Sequence, residues 1–418
     1  MIWESDLRVF TSIYKERAMS SQLSNSASSP VSRRSFLRSA TATLAAVPIL
    51  TEAHFARAAA THEGAVPEFT LKGVYIDSNE NPLGPCEAAR KAVIDILPNG
   101  GRYAPPLYGD LMKLYAQQMG VPVDHVMLYD GSSAPLSFSV LAYTSPTRSL
   151  VTADPTYEAA AASAAANKAT THAVPLAKDY SHDVKAMLAA DPNAGVIYIC
   201  NPNNPTGTIT SKEQIDYAVE HKPAGAILLV DEAYIHLSDA TSAIEHVRFG
   251  KDVIILRTFS KIYGMAGLRC GFAIGRPNLL KKLEDYGMNP MPITGMIAAQ
   301  ASLMDSELVP KRKKLIADVR NDTFAWLKQN NYSFIPSQSN CFMIDVKRPG
   351  VQIRQAMAKD GVYIGRSWPS WPTYVRVTVG LPSEMEAFKT SFTKAMQAPV
   401  SALNQAPTPP LHPYPVYS

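Results

Sequence analysis

The chain has little from which to build a metal centre or a disulfide framework. Its four cysteines, Cys86, Cys200, Cys270 and Cys341, lie far apart, with no CxxC pair and no histidines at ligand spacing. They read as packed free thiols, and no metal is expected. Basic residues form no long run beyond the short "KRKK" at 311–314, and the net charge of +4 is spread along 418 residues. That distribution argues against a nucleic-acid groove, so the cluster reads as a solvated helix face. Long apolar runs are missing too: the stretch from Ala40 to Leu50 is too short and too weakly apolar to span a bilayer. What is present is 46% apolar residues, enough for a core spanning two lobes.

Both ends read as segments apart from the core. In "SRRSFLRSA", Arg33 and Arg34 precede Phe36 and Leu37, an apolar run follows, and "ARAAA" offers a cleavage site near Ala58 to Ala60. This order reads as a twin-arginine export signal. It predicts a periplasmic protein, the twin-arginine translocase as a partner and no stable membrane anchor. Met19 lies closer to the arginine pair than Met1 does and is an alternative start of translation. The C-terminal "APVSALNQAPTPPLHPYPVYS" is rich in proline and reads as an extended, unpacked tail.

Between the ends, short apolar runs alternate with segments of helical period from about Asn99 to Pro290. "HVMLYD", "SLVTAD", "GVIYIC", "AILLVDEAY", "VIILRTF" and "CGFAIG" lack the polar alternation of half-exposed strands. An α/β architecture follows, with a mainly parallel sheet covered by helices on both faces. From about Met296 the pattern becomes one long helix, "AAQASLMDSELVPKRKKLIADVRNDTFAWLKQN". "YSFIPSQSNCFMIDV" and "YVRVTVG" come next, predicting a smaller α+β lobe.

In an open parallel sheet, ligands bind where strands end, so polar residues just after these runs carry the chemistry. "YDGSSAPL" places a turn, Ser132, Ser133 and Pro135 at a helix start, where free N–H groups suit either an ordinary cap or a phosphate cradle. "ICNPNNPTG" ends a strand on amides and a turn. "LLVDEAY" drives Asp231 to the end of a buried strand, where a charge needs a cationic partner. Lys261 follows another apolar strand, beside Ser260 and ahead of a glycine-rich turn holding Arg269. A lysine in a dry pocket loses its proton readily, and the neutral amine can attack an aldehyde.

"NENPLGP", "RYAPPLYGDL", "DPTYEAA", "NPNNPTG", "VDEAY", "FSKIYGMAGLRCGF" and "YVRVTVG" occur in order over roughly 74–395. In this the chain resembles the class I/II pyridoxal-phosphate aminotransferases of fold type I, and within them the histidinol-phosphate aminotransferase branch. The resemblance implies a large domain with a mainly parallel seven-stranded sheet, over 91–295, an N-terminal arm over 61–90 and a small domain over 296–396. The leader would occupy 1–60 and the tail 397–418. It implies pyridoxal 5'-phosphate bound covalently to Lys261, which also shuttles the substrate proton, and paired through its ring nitrogen with Asp231. Tyr234 and Asn204 would bond the ring oxygen and Tyr157 would stack on the ring. Ser132, Ser133, Ser260 and Arg269 would hold the phosphate, with Tyr103 reaching that of a neighbouring subunit in a homodimer.

For the substrate, the resemblance implies Arg376 as anion anchor with Asn340 and Arg366 as helpers. A guanidinium matches a carboxylate with two parallel hydrogen bonds; carboxylate and phosphate both remain open. Ser133 and Ala134 stand where the family usually carries acids, and Leu83 where an aromatic is frequent. These departures leave the cofactor set complete and weigh against histidinol phosphate. Trp368 and Trp371, in "SWPSWPTY", suit either the substrate mouth or a packing role. The expected activity is transfer of an amino group between an amino acid, or a metabolite derived from one, and a 2-oxo acid such as 2-oxoglutarate. A β-eliminating carbon-sulfur lyase and a non-catalytic cofactor-binding relative are the alternatives.

Overall fold

The computed structural model describes residues 72–287 and 290–399. The arginine pair, the leader with its cleavage site, Met19 and the proline-rich tail from 400 onward lie outside the described residues.

Among the described residues, twelve strands form three sheets. They are β1 (Val74–Ile76), β2 (Val126–Tyr129), β3 (Leu150–Asp154), β4 (Thr171–Pro175), β5 (Val196–Cys200), β6 (Ile227–Asp231), β7 (Val253–Thr258), β8 (Gly271–Gly275), β9 (Ser333–Ile335), β10 (Cys341–Asp345), β11 (Val362–Ile364) and β12 (Tyr374–Thr378). The main sheet has seven strands in the order β2-β8-β7-β6-β5-β3-β4. Only β8 runs against its neighbours, so the sheet is mainly parallel as expected. Its central strands are apolar on both faces because both are covered. Ile227 and Leu229 enter one core cluster while Leu228 and Val230 enter the other. β4, absent from the sequence reading, is an edge strand with half-exposed residues, and "THAVP" has no continuous apolar run to mark it.

β12-β10-β9 form an antiparallel sheet, and β1 pairs in parallel with β11 across most of the chain. The long helix expected after Met296 is two helices, Ile293–Leu303 and Leu308–Gln329. Pro310 explains the break: it has no N–H to donate and its ring excludes the carbonyl four residues back. The Asp305 side chain instead accepts from Glu307 N–H at 3.1 Å. The basic cluster is only partly a solvated face. Lys311 and Lys314 are exposed, but Arg312 is buried and donates to the Ile262 carbonyl at 3.0 Å and the Gly84 carbonyl at 2.7 Å. It therefore braces the turn that carries Lys261. All four cysteines are free and buried, as the sequence suggests.

Candidate active site

The pairing register gathers one rim of the main sheet. Cys200 pairs with Asp231, and Thr258 pairs with Gly271, which also pairs with Tyr129. The loops leaving β2, β3, β5, β6 and β7, and the one entering β8, therefore all open on the same edge. A cavity of about 590 Å³ lies there. Ser132, Ser133, Tyr157, Asn204, Asp231, Tyr234, Ser260, Lys261, Arg269 and Arg376 all line it. No group of three or more metal-ligating side chains gathers among the described residues.

Strand alternation sorts the two acids of "VDEAY". Asp231 faces the cavity, where its carboxylate accepts from the Tyr198 hydroxyl at 3.1 Å and the Ala233 N–H at 3.1 Å. Glu232 faces away and meets buried Arg257 at 2.6 Å. Asp231 has no such ion pair among the described residues, and burial lifts its pKa to about 6. Lys261 is on the first turn after β7, with its Nζ 5.5 Å from the Tyr234 ring centroid. Desolvation first, then the Arg376 charge, pull its ammonium down to about 8. An acid short of a cation thus shares a cavity with a lysine that gives up its proton more readily than usual.

The other end of this wall is cationic. α1 (Ser133–Tyr143) starts at Ser132 with no side-chain cap, leaving its first N–H groups available. Arg269 sits in the left-handed region at φ 56 and donates to Ser260 Oγ at 3.4 Å and the Ala266 carbonyl at 2.8 Å. Gly131, at φ 112, makes room: a Cβ there would lie 2.3 Å from the Arg269 guanidinium. Guanidinium, hydroxyls and free N–H groups converge as a phosphate would require.

On the facing wall, Arg376 is buried and donates to Asn204 Oδ1 at 2.9 Å and to the Asp77 carbonyl, while its Nε has no partner among the described residues. Three expected residues do not line the cavity. Tyr103 is 77% exposed on the surface. Asn340 is buried behind the 77–81 loop, donating to the Asn79 and Glu80 carbonyls at 3.1 and 3.2 Å, so it holds the wall and does not meet the cavity. Arg366 is bound at both Nη atoms by the Glu158 carboxylate. Of the two open readings for the tryptophans, packing fits Trp368, which is buried and donates from its indole to the Thr156 carbonyl at 2.9 Å. Trp371 stacks edge-on against Tyr180 in the same cluster.

The sequence reading missed Ser78, Asn79, Glu80 and Cys200 as lining residues. Asn79, left-handed at φ 54, donates to the Tyr234 hydroxyl at 3.0 Å. An asparagine in "NENPLGP", opening a proline-glycine turn, was the available signal.

A buried carboxylate awaiting a cation, a lysine amine and an anion cradle together fit a phosphorylated aldehyde with a basic ring nitrogen. Residues 72–388 match the model of the family "Aminotransferase class I and II". The chain belongs to that family, and it is a pyridoxal-phosphate-dependent transaminase acting on amino and 2-oxo acids. It is 30% identical over 332 residues to the histidinol-phosphate aminotransferase of Moorella thermoacetica, covering 75% of this chain and 83% of the relative. Against that of Bacillus subtilis (strain 168) it is 31% identical, covering 78% and 92%. The structure of histidinol-phosphate aminotransferase from Sinorhizobium meliloti in complex with pyridoxal-5'-phosphate shares the fold, with TM-score 0.72 at 24% identity over 80% of this chain and 98% of that one.

Proposed function

We propose that the protein is an exported transaminase moving an amino group between an amino acid, or a metabolite derived from one, and a 2-oxo acid, with 2-oxoglutarate the first acceptor to test. The observation that carries the chemistry is Asp231 and Lys261 opening into one cavity beside the Ser132, Ser260 and Arg269 cradle. When bound, pyridoxal phosphate supplies an aldehyde for an amine and a ring that withdraws electrons from a substrate's α-carbon.

The residues would do the rest. Lys261 would hold the cofactor through its neutral amine, and the same amine would take the proton from the substrate's α-carbon and return it. Its lowered pKa keeps both roles available near neutrality. Asp231 would hold a protonated ring nitrogen, which supplies the missing cation. Tyr157 would cover the ring, with Asn204 and Tyr234 at its oxygen. The backbone N–H groups at Ser132 and Ser133, with Ser260 and Arg269, would hold the phosphate. Arg376 would bind the substrate's carboxylate, its unpartnered Nε already pointing to spare donor capacity. Tyr103, exposed on this chain, suits a reach into the site of a second copy in a homodimer.

The test is purified protein offered amino acids with and without 2-oxoglutarate. Oxo acid formed only with acceptor supports the reading; pyruvate and ammonia formed without acceptor would replace it with β-elimination. Export rests on Arg33 and Arg34 ahead of Phe36-Leu37. The twin-arginine route carries folded proteins, so the cofactor could be loaded first, and a periplasmic enzyme would tailor metabolites and not make histidine. Replacing both arginines with lysine keeps the charge but should leave active, uncleaved enzyme in the cytoplasm. Wild-type activity confined to the cytoplasm with the leader attached would refute export.

A further inference from the structure

Arg366 and Arg376 are backbone neighbours: Arg376 N–H donates to the Arg366 carbonyl at 3.2 Å. Gly365 permits this closeness, since a Cβ there would lie 2.8 Å from the Arg376 carbonyl and 3.0 Å from its Nε. Both guanidinium groups also lie against the Trp368 indole, at 4.4 Å for Arg366 and 5.6 Å for Arg376. The two guanidinium carbons can be no further apart than the sum of those distances, a span that a short dicarboxylate held at both ends could bridge. Two such arginines would make a site for two anions.

Here only one of them is available. Glu158 follows Tyr157, which lines the cavity, and is the N-cap of the helix Ala159–Ala166. Its side chain makes no cap bond with that helix. Its two oxygens go instead to the two Nη atoms of Arg366, in the fork geometry that a substrate carboxylate would otherwise take. The pair is about one-third exposed on each side, 35% and 39%, so it stands near solvent, with Glu158 next in sequence to cavity-lining Tyr157.

We propose that Glu158 is a specificity-determining residue: by neutralising Arg366 it limits the site to substrates anchored by one anion, at Arg376, with an uncharged remainder. The inference rests on reading Arg376 as the carboxylate anchor. A dicarboxylic partner such as 2-oxoglutarate is then held through one carboxylate and gains nothing from its second.

The test uses holoenzyme and calorimetry with pentanoate and glutarate, which have equal chain length and no group that reacts. Wild type should bind glutarate no tighter than pentanoate. Glu158→Gln should bind glutarate about 10-fold tighter, the scale of a hydrogen bond to a charged group, with pentanoate unchanged as the control for folding. That gain should vanish in the Glu158→Gln, Arg366→Gln double variant. A wild type that already prefers glutarate, or a Glu158→Gln effect equal for both acids, would overturn the proposal. Binding of neither acid to wild type would overturn the anchor and the proposal together. Because nothing turns over, the result is independent of the transamination assay, whose failure would leave this binding pattern standing.

Discussion

The two walls of the cavity are built by opposite means. The wall proposed for the cofactor is the rim of the seven-stranded sheet, where strands end and deliver polar groups: Asp231 on β6, Ser260 and Lys261 after β7, Ser132 after β2. Its groups are held incompletely: among the described residues Asp231 has no ion pair like that of Glu232 with Arg257, and α1 has no side-chain cap. The wall proposed for the substrate comes from β12 and distant loops; its Arg376 is already engaged by Asn204 and the Asp77 carbonyl, and Arg366, off the cavity, is held by Glu158. One wall is specified by where strands stop. The other depends on which side chains compete for the same cation.

The largest effect should come from the cofactor wall. Lys261→Ala should lower turnover by about 10⁴-fold, the upper range for a lost acid–base group. After borohydride reduction and peptide mapping, wild type should carry cofactor on Lys261 and the variant nowhere. Cofactor trapped at another lysine would dissolve the assignment. Asp231→Asn should retain cofactor through the Arg269 cradle yet lose about 100-fold in turnover, the scale of one electrostatic stabiliser; near-normal rates would remove its role.

The substrate wall should respond differently. Arg376→Lys replaces a fork by a point charge and should raise KM for the carboxylate substrate about 10-fold while cofactor content stays the same. Loss of cofactor in that variant would show that the two walls are one unit. The smallest signal is a pH midpoint. Capture of added cofactor by apo-protein needs the neutral Lys261 amine, so its rate should rise with pH and level off above about 8. The folded pKa lies below the ordinary lysine value of 10.5, so the folded apo-protein binds fewer protons than the unfolded chain between about 8 and 10.5. Lys261 therefore contributes a stability of the apo-form that rises with pH across that window. The slope should be missing in Lys261→Ala, as measured by denaturant unfolding, and a capture midpoint near 10.5 would refute the dry setting.

The sequence by itself determined the sheet interior and its rim. Short continuous apolar runs rich in Val, Ile and Leu and bounded by turn signals fit strands covered on both faces, and polar residues just after such runs fall at the sheet edge, so Asp231, Lys261 and Ser132 were legible. Edge strand β4 was not, because half of its residues face outward and carry no apolar signature. Nor was the break at Pro310 weighed against the helical period on either side. Tertiary structure alone decided the contacts between residues far apart in the chain. It placed Asn79 against Tyr234 and set Arg312 beneath the Lys261 turn. It also turned Glu158 toward Arg366. Local sequence patterns record whether a side chain is buried or exposed. They do not record which partner a charged or amide group reaches, since that depends on how the chain brings distant segments within hydrogen-bond distance.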